Sequence, residues 1–457
     1  MKLKRISALV AAALMFVLVL PVNAFAAKKG ITLNKTSASM SAGDTLTLKR
    51  TVTGFKKCTV QWSSSDKAVA SVSKGVVTAK KAGTAVITAK IKDTDYKATC
   101  KITVKKKSSG SSKTTTFKDA EALLDKITIG WNLGNTMDSI NCSWLTNKLD
   151  YETGWGNVKT TKAMIDKVKK AGFNTLRLPV SWGEHMDANG KIDKEWLDRV
   201  QEIVDYAYDN NMYVILNTHH ENGWIKLDEG SEKEVTKKFK YLWKQIANRF
   251  ENYDERLVFE ALNEPRTEGS AKEWTGGTPA EYKQLNKLYK AFVQTVRAGD
   301  SYNKTRFLIV TPYAASSSYS AMAGLEIPDD DRIIVSVHAY LPYNVALNRG
   351  SADKALTDGY KREIDSAFSN IDKVFLSKGI PVIMDEFGTL NKSNTKERVE
   401  TAKYYLSVAE SYGVPCCWWD NGTNCGPEQG EGFGLLDRKN LEWFYPDIVK
   451  ALTGSVK

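Results

Sequence analysis

Between residues 30 and 104 apolar positions alternate with polar ones in short bursts, as in Thr45-Leu46-Thr47-Leu48, Val60-Gln61-Trp62 and Thr84-Ala85-Val86-Ile87-Thr88-Ala89, with Gly, Ser and Asp between them. A period of two broken by turn residues predicts short strands packed as a β-sandwich, and Trp62 then reads as a core residue rather than a sugar platform. From residue 117 the pattern changes. Eight apolar runs follow in order at 127–131, 175–180, 213–217, 257–262, 307–310, 333–337, 381–384 and 414–419. Between most of them, at 161–171, 195–208, 232–250, 282–297, 360–378 and 396–411, apolar residues recur at helical spacing. Eight strand-helix units over about 340 residues predict an α/β fold, a (β/α)8 TIM barrel with loop insertions. A doubly wound sheet is disfavoured because no Gly-rich phosphate loop follows the first strand.

Two stretches fit neither pattern. Lys2, Lys4 and Arg5 precede an apolar run to Leu20, and Ala24-Phe25-Ala26 supplies a small-x-small site, so residues 1–26 read as a secretory signal peptide. No later run is apolar enough to span a bilayer, and a secreted, extracellular chain without a membrane partner is expected. Residues 105–116, KKKSSGSSKTTT, are polar and aperiodic, a linker. The expected organisation is a leader at 1–26, a β-sandwich at 27–104, the linker, and a barrel domain at 117–457, acting as a monomer. The 457 residues, 42% of them hydrophobic, suffice for two such cores.

The net charge of +12 raises the question of nucleic acid, but its distribution argues against it. Residues 27–116 carry about +15 and the barrel region about −6, so the positive charge belongs to the small module. An exported basic module meets acidic cell-wall or plant-wall polymer more readily than DNA, and an ordinary solvated surface is the plainer reading. Six cysteines form no dense framework and have no zinc spacing; Cys58 and Cys100 are candidates to pair within the module.

Barrel chemistry sits at the C-terminal strand ends. There the chain places Asn132 and Asn135 after the first strand, Arg177 on the second, His219-His220 after the third and Asn263-Glu264 after the fourth. His338 and Tyr340 follow the sixth, Glu386 the seventh, and Trp418-Trp419 end the eighth. Three of the four histidines in the chain fall in this set. Glu264 and Glu386 each stand where an apolar run gives way to a loop, and a carboxyl pair of this kind suits glycosidic cleavage, one protonated to donate, the other ionised to attack. Arg177 suits holding a carboxylate ionised, Tyr340 donates to the same oxygen, Asn263 fits a sugar hydroxyl, and tryptophans offer flat faces to sugar rings. Asn132, Trp182, Trp224, His219 and His220 complete the expected substrate-binding and supporting residues. One of Trp418 and Trp419 must face away, since neighbours on a strand point oppositely. His219-His220-Glu221 lacks a third ligand at metal spacing and no Gly-x-Ser-x-Gly elbow exists, so no metal, other cofactor or serine triad is expected.

The runs Gly130-Trp131-Asn132-Leu133-Gly134-Asn135-Thr136, Asn174-Thr175-Leu176-Arg177-Leu178-Pro179, Asn217-Thr218-His219-His220-Glu221, Ala261-Leu262-Asn263-Glu264-Pro265, Glu273-Trp274-Thr275-Gly276-Gly277-Thr278, Val337-His338-Ala339-Tyr340 and Trp418-Trp419-Asp420-Asn421-Gly422 resemble glycoside hydrolase family 5, subfamily 4. Residues 30–104 resemble bacterial Ig-like group 2 domains, in Ile31-Thr32-Leu33-Asn34, Trp62-Ser63-Ser64-Ser65-Asp66 and Ala82-Gly83-Thr84-Ala85. The resemblance implies a retaining endo-β-1,4-glucanase with Glu264 as acid/base, holding the proton, and Glu386 as ionised nucleophile. Xyloglucan, mixed-linkage glucan, mannan or xylan remain as substrates of the same fold, and a wall-polysaccharide-binding protein without chemistry remains as the alternative class.

Overall fold

The computed structural model describes residues 29–41, 43–55, 58–105, 117–299 and 301–454. The expected leader and linker residues 106–116 lie outside them. The described chain forms two compact units, within residues 1–111 and 112–457.

The first unit has nine strands. β1 (Gly30–Leu33) pairs with β4 (Arg50–Thr53). β2 (Ser37–Ser41), β5 (Val60–Ser64), β8 (Gly83–Ile91) and β9 (Lys97–Lys105) form a sheet ordered β2-β9-β8-β5. β3 (Thr45–Thr47), β6 (Ala70–Ser73) and β7 (Val76–Ala79) form a third, ordered β3-β7-β6. Strict alternation buries Ala85, Ile87, Ala89 and Ile91 of β8 and leaves the residues between them outward, so this sheet packs one face on Leu48, Val69 and Val77. Trp62 packs at the junction of the two small cores. Cys58 and Cys100 are not paired. Cys100 is buried in β9 opposite Ile87, while Cys58 is exposed ahead of β5, beyond the intervening β8. Two ladder spacings, about 9–10 Å, exceed the Cα separation a disulfide spans.

The second unit is the expected barrel. β10 (Ile129–Leu133), β11 (Thr175–Leu178), β12 (Tyr213–Asn217), β13 (Leu257–Glu260), β14 (Leu308–Val310), β15 (Ile333–His338), β16 (Val382–Phe387) and β17 (Cys416–Asp420) close in sequence order, all parallel. Helices α2 (Lys162–Lys170), α3 (Lys194–Asp209), α4 (Glu232–Arg249), α5 (Pro279–Arg297), α6 (Tyr319–Ala323), α7 (Tyr343–Ala346), α8 (Asp358–Val374), α9 (Thr395–Ser411) and α10 (Pro446–Gly454) lie between and after the strands. Strands covered on both faces read as continuous apolar runs, which is why they stand out in the sequence. The preceding α1 (Ala120–Leu124) brings Leu123 and Leu124, with Phe117 and Ile127, into one cluster with the inward Ile215, Val258, Ile309, Ile334, Ile383 and Cys417. That cluster fills the barrel below the polar residues of its mouth.

Among the strands the largest departure from the expected boundaries is β16, which runs three residues past the apolar stretch and carries Glu386 within the strand. Its register shifts against both neighbours. Ser336 to His338 of β15 faces Ile383 to Glu386, and Cys416 to Trp418 of β17 faces Met384 to Phe387, so β16 holds one extra residue. A bulge interrupts the in-out alternation. It lets consecutive Asp385 and Glu386 both reach Arg177.

Candidate active site

Arg177 of β11 is fully buried at the centre of the mouth. Its Nε and Nη2 donate to Glu260 Oε2 and Oε1 at 2.8 and 2.6 Å, Nη1 donates to Asn132 Oδ1 at 2.9 Å and Glu386 Oε1 at 2.5 Å, and Nη2 also reaches Asn263 Oδ1 at 2.8 Å. Asp385 Oδ2 lies 3.3 Å from Nε. Burial works against the charge, but Glu260, Asp385 and Glu386 outweigh it and hold the guanidinium well above its ordinary pKa. A planar fork with five donors suits such a site, which a lysine could not serve. Burial pushes Glu260 up to about 7, with Arg177 opposing.

Glu386 receives Arg177 on Oε1 and the Tyr340 hydroxyl on Oε2 at 2.8 Å. Burial and the charge of Glu386 drive Tyr340 well above its ordinary pKa, so it stays a donor. Glu264 lies in the loop after β13, its side chain 21% exposed against 6% for Glu386. His338 joins the two: its Nδ1 is 2.9 Å from Glu264 Oε1 and 3.6 Å from Glu386 Oε2, and its Nε2 is 3.1 Å from Asp385 Oδ1. Ser336 donates a short hydrogen bond to that same Asp385 oxygen. Burial disfavours a charged ring, yet Glu386, Asp385 and Glu264 together push His338 up to about 10. Burial alone would raise Glu264, but the hydrogen bond and charge of His338, with Arg266, hold it below the ordinary carboxylate value. Both shifts run the same way, toward a charged imidazole beside an ionised Glu264 before substrate enters.

His219 is neutral, burial and the neighbouring cations keeping its pKa well below the ordinary value. The Asn217 amide, 3.0 Å from Nδ1, sets the tautomer that leaves a hydrogen on Nε2. Its ring lies parallel to Trp419 at 5.7 Å. His220, lowered to about 4 chiefly by burial, meets Trp155 at 5.6 Å. Among the described residues three clusters are of metal-ligand type: Asp138/His219/His220, where Asp138 supplies the third group that sequence spacing did not show, and Glu264/His338/Glu386 and Glu260/His338/Asp385, which share His338. An imidazole driven toward its charged form has no lone pair to give a metal.

The expected residues divide by position. Asn132, Arg177, Asn263, Glu264, His338, Tyr340 and Glu386 converge on one network. Trp419 is half-buried at the mouth, whereas Trp418 is fully buried, donates to Phe433 O at 3.3 Å and packs on Phe387, because the strand alternates. Trp182 is fully buried too, its Nε1 bound to Asn217 O at 2.9 Å, so it supports β12 and meets no solvent. Trp224 bonds Glu221 and carries Lys238 over its ring at 4.3 Å, which covers one of its faces. Asn135 adopts a left-handed turn at φ 54°. Sequence reasoning missed Glu260, Asp385, Asn217 and the exposed Trp274, whose ring stacks on Arg266 at 4.4 Å beside Glu264. Glu260 had a signal: it ends an otherwise apolar strand in the same inward phase as Val258. Asp385 had the same signal, two residues after the inward Ile383; it is Glu386 that alternation would turn outward and the bulge brings in.

Residues 138–425 match the family described as Cellulase (glycosyl hydrolase family 5), and residues 27–102 match the Bacterial Ig-like domain (group 2). Endoglucanase A of Clostridium longisporum is 45% identical over 346 residues, 75% of this chain and 66% of that protein, and Endoglucanase 1 of Ruminococcus albus is 47% identical over 341 residues, 74% of this chain and 81% of that one. The structure of a GH5-4 broad specificity endoglucanase from Clostridium longisporum superposes with a TM-score of 0.72 at 44% identity, covering 74% of this chain and 99% of that one.

Proposed function

Because the chain belongs to glycosyl hydrolase family 5, we propose that it is an endo-β-1,4-glucanase that cleaves internal bonds of a β-glucan with retention, by double displacement. The observation that carries the mechanism is carboxylate spacing. An oxygen of Glu264 and one of Glu386 lie within 4.8 Å of each other, which suits direct attack by one carboxylate, at about 5–5.5 Å, and not the roughly 6.5–9.5 Å that admits a water between sugar and base. Glu386, held by Arg177 and Tyr340, attacks the anomeric carbon. Glu264 protonates the leaving oxygen as that bond breaks, then takes a proton from the water that cleaves the glycosyl ester. The proton begins on the imidazole of His338, in hydrogen-bond contact with Glu264. Asn263, His219 and Trp419 hold the sugar.

The endoglucanase names of the relatives support β-1,4-glucan as principal substrate, and a lichenase and a xyloglucan-specific endo-beta-1,4-glucanase among the similar structures put mixed-linkage glucan and xyloglucan ahead of mannan or xylan. The leader supports export, and the basic module supports contact with wall polymer outside the cell. On a panel of these pure polysaccharides the chain is expected to release reducing ends fastest from β-1,4-glucan. Glu386→Ala should release none until azide is added, and should then yield the inverted glycosyl azide. A retained azide from that variant would reverse the two roles, and glucan binding without any release of reducing ends would favour a wall-binding protein.

A further inference from the structure

The outer face of the β2-β9-β8-β5 sheet belongs to no site described so far. Alternation places Ser37 and Ser39 of β2, Lys97, Thr99, Lys101 and Thr103 of β9, Thr84, Val86, Thr88 and Lys90 of β8, and Gln61 and Ser63 of β5 on that face. No carboxylate stands among them. Lys90 lies directly opposite Lys97, a like-charge pair that destabilises a ladder, and among the described ion pairs none involves either residue or Lys101. Asp93 and Asp95 stand in the connecting loop, and Asp66 caps its own turn through Ala68 N–H. Lysines that protect a sheet from aggregation belong on its edges. Here they occupy the two inner strands, β8 and β9.

We propose that this face docks an acidic polysaccharide, a polyuronide with a carboxylate on its sugar units. The proposal rests on the reading of the basic module as wall-facing and is independent of the catalytic assignment. Hydroxyls on all the rows except β5's Gln61 and, with ammonium groups between them, about 13 Å apart for Lys97 and Lys101 along β9, answer a polymer that offers both hydroxyls and regularly spaced single charges. A polyphosphate backbone offers charge with few hydroxyls.

The test is retardation of the full chain in native gels containing polygalacturonate, polyglycerol phosphate or neutral β-glucan. The unaltered chain should be retarded by polygalacturonate, and the triple variant Lys90→Gln/Lys97→Gln/Lys101→Gln should bind at least tenfold more weakly. A charge-matched control, Lys67→Gln/Lys80→Gln/Lys81→Gln, should bind as the unaltered chain does, and in limited proteolysis of the full chain the module of both variants should resist cleavage as it does in the unaltered chain, which shows it folded. Equal weakening in both variants would reduce the effect to net charge and overturn the proposal. So would stronger retardation by polyglycerol phosphate, or no retardation by polygalacturonate.

Discussion

His338 contacts both carboxylates, and its charge favours the ionised form of Glu264. A lone buried Glu264 would sit above the ordinary carboxylate range; with His338 beside it the pair keeps one proton, on the ring, up to about pH 10. The form that donates, Glu264 protonated and His338 neutral, carries the same total proton count, so loss of that one proton sets the alkaline limb of activity. In His338→Asn the limb should instead follow the carboxyl alone, which loses its proton at lower pH. The alkaline limb of kcat/KM is expected to move down by about a unit or more; an unmoved limb would place the proton elsewhere. The stability linkage has the matching sign: a raised imidazole pKa stabilises the fold below about pH 6.5 and loses that contribution as pH rises through about 10. Arg177 is both structural and functional, since removing one partner from a buried charge cluster costs about 3–5 kcal/mol.

At the scale of elements, the bulge in β16 and the seam between β10 and β17 set the mouth. The sequence offers no reason for Cys417, but the seam does. Gly130 faces Cys417 across the closing ladder, and a Cβ on Gly130 would lie 2.2 Å from the Cys417 sulfur. Small and large side chains thus alternate around the barrel interior, and the thiol, pushed well above its ordinary pKa by burial, acts as an apolar filler. Gly130→Ala should therefore lower stability by about 1–3 kcal/mol, and the added change Cys417→Ala should restore part of the loss. Melting of the two single variants and the double variant checks this; additive losses would mean the residues do not share space. Capping marks a helix start that apolar periodicity placed three residues late: Thr278 accepts from Glu281 N–H and its hydroxyl meets the Glu281 carboxylate at 2.7 Å, with Pro279 opening α5.

For the whole molecule, apolar clusters that each draw their residues from one unit predict separable behaviour. Removing residues 1–116 should leave kcat on a soluble β-glucan within about twofold, measured by release of reducing ends; a larger fall would give the module a part in catalysis. Local pattern determined much of this protein by itself. Strand order, helix positions, the module and the strand ends that bear chemistry were all legible, because period, capping and turn chemistry act between residues near in sequence. Glu264, Glu386, Arg177, His338 and Tyr340 could be named because barrel topology brings strand ends together. Only the tertiary structure decided the rest. Which of Trp418 and Trp419 meets the mouth depends on strand phase at barrel closure, and the burial of Trp182 on its packing against β12. The inward turn of Glu386 beside Asp385 depends on a bulge in β16. The balance of charge between Glu264 and His338 is shifted by Asp385 and Glu386 of β16 and by Arg266 of the loop after β13, whose fields add only when the fold puts them within a few ångströms and away from water.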